Sequence, residues 1–345
     1  MTTTDDDSTD IESAIVLTSG TRPTLMDTLW KRDARVSYFL AAEIAPSTRR
    51  AYEGAWRRYT EWCAAHDMTP LPSHPGTLAV YLSEQAAAGI NPRTLRVAMS
   101  AIKLVHERTD HESPTEHPNI RRLIKGIKRE CGRPAKQKEG LTLEDVRKMV
   151  QGCDASTAKG VRDRALLLMW FLGGFRRSEV SGLDLESLTH RVGGIVVLLS
   201  RSKTDQEGTG REVPIPSGPA TEAIDAWVAC LASHGITTGP LFHAIDKWGS
   251  IQGRLGGHGL ACLVKQLVAE VGLDPSLYAG HSLRAGLVTE AARRGARIEH
   301  ITKRTGHHGV KQVQEYIRRG TLFEVDPITR MGDELLPDVN EEVSP

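Results

Sequence analysis

Apolar positions recur at helical steps through most of the chain. From Pro46, residues Tyr52, Trp56, Tyr59 and Cys63 fall at three- and four-residue intervals, giving one apolar helix face with Ser47 expected as N-cap. The pattern predicts a second helix from about residue 76 to 88, with Leu78, Val80, Tyr81 and Leu82 inside and Gly89 as the stop signal. Asn91-Pro92 places a capping residue before a proline at the first helical position and starts a third helix through Leu95, Ala98, Met99, Ile102 and Val105. A fourth, about 118–130, keeps Ile120, Leu123, Ile124 and Ile127 for the core.

The period disappears between Cys131 and Gly140, so residues 131–141 read as an extended linker. Helical patterning restarts at Thr142, where Asp145 three positions on approaches a capping box. The longest apolar run, Ala165 to Gly174, has ten residues, about half of what a membrane span needs, and reads as a buried helix. Residues 194–200 and 211–215 are rich in β-branched side chains across a polar, Gly-containing connection, which predicts a small β-hairpin. Helices resume at about 219–233, 259–271, 282–294, 297–305 and 309–318. The expected fold class is therefore mainly α with a small β-sheet. The expected layout is an acidic, disordered tip at 1–20, a helical domain at 21–130, the linker, an α+β domain at 142–320 and an acidic tail at 321–345.

Length and charge sharpen this layout. At 345 residues the chain suits two domains. Its formal charge of +1 argues against a polyanionic partner until the distribution is followed along the chain. Residues 1–20 carry −5 and residues 321–345 carry −6, so positions 21–320 carry +12. Positions 46–138 alone hold sixteen Lys and Arg against nine Asp and Glu. Arg49, Arg50, Arg57 and Arg58 lie off the apolar face of the first helix, and Arg121, Arg122, Lys125, Lys128 and Arg129 off that of the fourth. A basic surplus on two helices points to a phosphate-binding face rather than to one solvated helix. Five cysteines without a CxxC pair suit a reducing cytoplasm and supply no zinc or disulfide framework, and the acidic N-terminus has no secretory signal.

Four separated pieces of the second domain carry side chains suited to a phosphodiester. The first runs from Gly173 to Val180, where the buried helix ends at a glycine pair followed by Arg176, Arg177 and Glu179. Such arginines can present a donor fork to phosphate oxygens, although taken alone the piece reads first as a helix end with a favourable dipole charge. The second is Lys203 at the end of the first hairpin strand, which alone reads as a solvated turn residue. The third is His281-Ser-Leu-Arg284, whose i, i+3 spacing on a helix puts both side chains on one face. The fourth is Gly306-His307-His308, with Tyr316 nine residues beyond His307. Adjacent histidines point in different directions on a helix and lack a third ligand at metal-binding spacing, so no metal site is expected.

Taken in order, Arg-x-x-Glu after a glycine turn, a hairpin Lys, His-x-x-Arg, Gly-His and a Tyr nine residues on resemble the pattern of the tyrosine recombinases, or phage-type integrases. The resemblance covers roughly residues 46–335. Within the family it is closest to the Cre-like members, in Gly280 to Arg284 and in Tyr316-Ile-Arg318 with acidic residues beyond. It departs in His307, where Cre-like proteins can carry Trp, and in Ala285, where many members have His.

The resemblance implies a helical, SAM-like core-binding domain and an α+β recombinase catalytic domain. It implies that Tyr316 attacks a DNA phosphorus to form a 3′-phosphotyrosyl bond and that Arg176 and Arg284 bind the non-bridging oxygens. His281 exchanges the tyrosine proton, Lys203 protonates the leaving 5′-oxygen, His307 bonds a phosphate oxygen, and Glu179 holds the arginine and histidine side chains. Arg177 is expected on DNA backbone. No cofactor is expected, and the partners implied are duplex DNA with a specific site and three further copies of the chain, forming a homotetramer on two sites. The tail, with Leu322, Phe323, Ile328, Leu335 and Leu336, would dock on a neighbouring protomer; folding back on its own domain is the alternative. A type IB topoisomerase, a telomere resolvase and a DNA-binding regulator without activity remain open as alternatives.

Overall fold

The computed structural model describes residues 43–132, 138–199, 210–306 and 313–317. The chain divides into two compact units, residues 1–135 and 136–345. Among the described residues no helix is long and apolar enough to cross a membrane.

The first unit holds four helices, α1 (Pro46–Ala65), α2 (Pro75–Ala87), α3 (Pro92–Arg108) and α4 (Pro118–Cys131). Each begins with proline, whose fixed φ suits the first turn and whose missing N–H would have had no helical partner. Asn91, His74 and His117 cap α3, α2 and α4 by accepting a backbone N–H two residues on. The expected cap of α1 is corrected: Ala45 is the N-cap, without a side-chain bond, and Ser47 lies inside the first turn because Pro46 has already taken the first helical position.

Trp56, Tyr59, Cys63, Leu78, Tyr81, Leu82, Leu95, Ile102, Val105 and Ile120 form the core of this unit. Val80, expected inside, is 41% exposed. At 100° per residue it sits 200° from both Leu78 and Leu82, on the opposite face of α2. One buried polar chain ties the connection before α2 to α3. Tyr59 Oη and Ser73 Oγ share a hydrogen bond, the Ser73 N–H donates to His106 Nε2 at 2.9 Å, and His106 Nδ1 meets the Ile102 carbonyl at 2.7 Å. Those partners require Nδ1 to carry the proton and Nε2 to be free, so His106 is held neutral. Burial pushes its pKa below the ordinary 6.5.

The second unit starts from α5 (Leu143–Gln151), whose Thr142 and Asp145 make a reciprocal capping box. The buried helix is α6 (Ala158–Gly173), closed by Gly174 at φ +60, a left-handed cap that an L side chain strains to adopt. The short α7 (Arg177–Ser181) follows. Strands β1 (Leu188–Arg191), β2 (Gly194–Leu199) and β3 (Arg211–Pro216) form an antiparallel sheet in that order. Ile195, Val197, Leu199, Val213 and Ile215 bury its inner face, while Leu198 is exposed, the period-two pattern of a half-buried sheet.

The single hairpin expected from the sequence is thus two arms of a three-stranded sheet. A second antiparallel pair, β4 (His243–Ile245) and β5 (Ile251–Arg254), was also not expected. Both β1 and β4, at four and three residues, are too short to show a strand period. Helix α8 (Pro219–Ser233) packs along α6, and Trp227 Nε1 donates to the Leu241 carbonyl at 2.7 Å. Helices α9 (Gly257–Glu270), α10 (Gly280–Arg293) and α11 (Ile298–Thr305) complete the unit, and residues 313–317 are helical. The end of the expected linker is held by this unit: the Glu139 N–H donates to the Leu277 carbonyl and the Leu141 N–H to the Ser282 carbonyl, with Leu141 fully buried. Lys203, His307, His308 and the expected acidic tip and tail lie outside the described residues.

Candidate active site

Two elements of the second unit bond one buried carboxylate, and a third brings a charge near it. Glu179 sits in the first turn of α7, where its carboxylate accepts the Arg176 backbone N–H at 2.8 Å and so closes the start of that helix. The same carboxylate takes the Arg176 guanidinium, Nη1 to Oε1 at 2.7 Å. Its side chain is only 1% exposed, so the charge depends on these donors rather than on water. The other end of the Arg176 fork, Nη2, donates to the Gly306 carbonyl at 2.7 Å, beyond α11 and immediately before His307.

Arg284 reaches the cluster from α10. It is buried, and Nη1 donates to the Gly174 carbonyl at 2.6 Å, capping the C-terminal end of α6. Burial first, and then the nearby Arg176, push its pKa down to about 10; Glu179 and Tyr316 act in the opposite direction. The guanidinium therefore stays charged at neutral pH, in a place where that charge is costly and an arriving anion is favoured.

Tyr316 is half-buried in the helical residues 313–317 and packs, with Ile317, on a small cluster of Val288 from α10 and Ile301 from α11. That packing accounts for the apolar neighbours of Tyr316 in the sequence, while the phenol lies within electrostatic reach of Arg284. His281 is exposed in the first turn of α10, one turn before Arg284. Arg177 is exposed too, and its stem lies beside Gly257 and Gly280, at the N-terminal ends of α9 and α10. The structure thus brings together Arg176, Glu179, Arg284 and Tyr316.

Two further arginines belong to this cluster. Arg211, the first residue of β3, donates from Nη2 to Glu179 Oε2 at 3.3 Å and from Nη1 to the Arg304 carbonyl. Arg304, in the last turn of α11, donates from Nε to the Leu172 carbonyl at 2.7 Å and from Nη2 to the Pro214 carbonyl at 2.6 Å. Burial lowers the pKa of both. Neither stands in a recognisable motif, and a basic residue in a helix's last turn or at a strand's first position reads as ordinary surface. Among the described residues no group of three or more His, Cys, Asp or Glu could hold a metal ion.

In the first unit, Arg50, Arg57, Arg58, Arg122, Lys125, Lys128 and Arg129 are exposed, and Arg49 is partly so. Arg121 is exposed but ion-paired with Glu116, which also takes Lys103 at 2.6 Å.

Comparison with known proteins identifies the setting of these residues. The phage integrase family model matches residues 139–321. An integrase/recombinase XerD homolog of Selenomonas ruminantium is 32% identical over 292 residues, covering 83% of this chain and 86% of its own. The recombinase Cre of Escherichia phage P1 is 22% identical over 280 residues, covering 76% and 81%. Among solved structures, the XerH site-specific recombinase bound to palindromic difH substrate, in a post-cleavage complex, superposes with a TM-score of 0.61 at 14% identity over 94% of both chains. The lambda integrase dimer bound to a core site gives 0.52 at 14% identity over 82% of this chain and 93% of that one. At such identities the superpositions establish the shared fold.

Proposed function

This chain belongs to the phage integrase family, and on that premise we propose that it is a site-specific DNA recombinase that cuts and rejoins strands through a 3′-phosphotyrosyl intermediate, using neither metal nor ATP. The observation that carries the reading is the pair of Arg176, partly buried, and Arg284, fully buried, beside the Glu179 carboxylate, with Tyr316 in electrostatic reach of Arg284.

A free tyrosine titrates near pH 10 and is a poor nucleophile at neutral pH unless its proton is taken or the phosphorus is made more electrophilic. Tyr316 Oη attacks the scissile phosphorus as the bond to the 5′-oxygen breaks. The phenolic proton passes to His281, and the departing 5′-oxygen takes a proton from Lys203 to leave as a hydroxyl. Arg176 and Arg284 bind the two non-bridging oxygens as their charge grows, the stage at which fixed donors contribute most. His307 adds a hydrogen bond to the same oxygens, and Glu179 sets the direction of Arg176. The exchanged ester conserves the bond energy, so religation by a 5′-hydroxyl needs no further energy source.

The exposed cations of α1 and α4, namely Arg49, Arg50, Arg57, Arg58, Arg121, Arg122, Lys125, Lys128 and Arg129, together with Arg177, neutralise DNA backbone. They position the duplex, and base-edge contacts and duplex deformability choose the site. The protein acts on DNA in the cytoplasm, at the nucleoid, as a homotetramer spanning two sites. Residues 321–345 bridge neighbouring copies. An apolar cavity of about 320 Å³, lined by Leu172, Pro216, Leu287, Ala291, Ile301 and Arg304, supports this assembly as a seat for an apolar segment of acidic character.

A nicked suicide duplex tests the chemistry. The protein is expected to form a covalent adduct that Tyr316→Phe loses while its duplex affinity stays close to that of the parent; an adduct in the Phe variant removes Tyr316 as nucleophile. Sequencing the trapped DNA identifies the site. Supercoil relaxation without site dependence would instead mark a type IB topoisomerase, hairpin ends from an inverted repeat a telomere resolvase, and binding without any adduct a regulator. Deleting residues 321–345 is expected to impair pairing of two sites more than single-site cleavage; unchanged tetramer formation on DNA rejects the bridging role.

A further inference from the structure

We propose that Arg211 is a positioning residue of the cleavage reaction, holding Arg176, through Glu179, in register with the chain segment that leads into His307. The inference rests on the recombinase reading and concerns a side chain that the recombinase pattern itself does not include.

A residue opening a strand at the mouth of a hairpin would ordinarily point its charge to solvent. Arg211 instead turns inward, and its side chain is 17% exposed. Its fork divides between two elements, with Nη2 on Glu179 of α7 and Nη1 on the Arg304 carbonyl at the end of α11. The plane of the guanidinium lies against Gly306, where an added Cβ would fall 3.0 Å from Nε and 3.1 Å from Cζ. Gly306 has φ +63, so both its backbone conformation and the approach of Arg211 favour glycine there.

These bonds close a ring. Arg211 holds Glu179, Glu179 holds Arg176, Arg176 donates to the Gly306 carbonyl, and the chain returns through Thr305 to the Arg304 carbonyl and Arg211. Arg304 fastens the ring to β3 through the Pro214 carbonyl. Without Arg211 the carboxylate keeps its bonds to Arg176 but loses the donor that fixes Oε2 from outside α7, and the C-terminal turn of α11 loses a cap. At 3.3 Å the bond to Glu179 is long, and a buried ion pair is a weak source of stability. Its contribution is therefore orientation, and a small misplacement of a phosphate-binding arginine costs rate steeply.

The test uses the full chain on nicked suicide duplexes carrying either the natural phosphate or a scissile methylphosphonate, in which an uncharged methyl replaces one non-bridging oxygen. On the phosphate, Arg211→Met is expected to slow single-turnover cleavage by about 100-fold, the scale of a misplaced catalytic group. Arg211→Lys keeps the charge but cannot span both acceptors, and is expected to fall between parent and Met variant. With the charge to be neutralised reduced, both defects should shrink on the methylphosphonate to less than about 5-fold, because the aligned arginine then has less to stabilise. Duplex affinity should stay near that of the parent. Cleavage of the phosphate at the parental rate by Arg211→Met, or equal losses on both substrates in the Lys variant, overturns the proposal. Failure of the parent protein itself to form an adduct refutes the recombinase reading and removes the basis of this one with it.

Discussion

The two units carry their positive charge in opposite ways. On α1 and α4 the cations stand on largely exposed stems around an apolar core, with Arg49 partly buried and Arg121 ion-paired to Glu116. In the second unit Arg176, Arg211, Arg284 and Arg304 are turned inward and bonded to carbonyls at the ends of α6 and α11 and to one carboxylate. On the proposed reading, the first arrangement would attract a polyanion over a wide surface and the second would fix where one phosphate sits. Affinity and rate should therefore respond to different arginines.

The largest expected separation is at Arg284. Arg284→Lys retains a charge but not the fork, and should lower single-turnover cleavage by about 100- to 1,000-fold, as loss of one preorganised donor does. Duplex affinity, read by titration on the same DNA, should change little; a loss of affinity matching the loss of rate would erase the distinction between the two units. The reciprocal change is Arg122→Gln with Lys125→Gln on α4. It should weaken duplex binding and reduce the slope of log affinity against log salt by about 1.8, at ~0.9 for each phosphate no longer neutralised. Cleavage at saturating DNA should stay at the parental rate, and an unchanged salt slope would place the backbone-binding cations elsewhere.

Smaller effects concern each unit's own stability. His106 is buried neutral with its pKa held below 6.5, so below that pH the unfolded chain binds a proton that the folded chain resists. The stabilisation it contributes is present above pH 6.5 and is lost as pH falls below that value. Denaturant titrations of the first unit's signal from pH 8 to 5 should show this loss, and His106→Gln should flatten it. In the second unit, Thr142→Ala removes half of a capping box and should cost about 1 kcal/mol in a thermal or denaturant melt. No change there would mean that the packing of Leu141, rather than the cap, holds the start of α5.

Much of this contrast was legible along the chain, for reasons that differ by residue. Proline, Asn91 and Thr142 mark helix starts because their preference is set by backbone chemistry within a few residues. Ser47 misled because Pro46 holds the same signal one position earlier, and Val80 misled because a run of apolar residues hides which of them lie at the helical angle. Strands β1 and β4 gave no warning, since runs of three or four residues are too short to show a period and become strands only when a partner supplies the ladder. Arg176, Glu179, Arg284 and Tyr316 stood out through their order in the sequence, a pattern that no single residue carries. Arg211 and Arg304 did not, because each has an ordinary local context and acquires a role only from acceptors far along the chain, Glu179 and the Arg304 carbonyl for Arg211 and the Leu172 and Pro214 carbonyls for Arg304.

The helices, the basic body between acidic ends, and the residue types able to bind and attack a phosphodiester follow from the order of amino acids, because periodicity, capping and composition act over short stretches of chain. Which cations are buried, and toward what, follows only from the packed fold. A buried guanidinium tolerates only positions where acceptors converge, and that convergence on Glu179 depends on how α6, α7, β3, α10 and α11 pack.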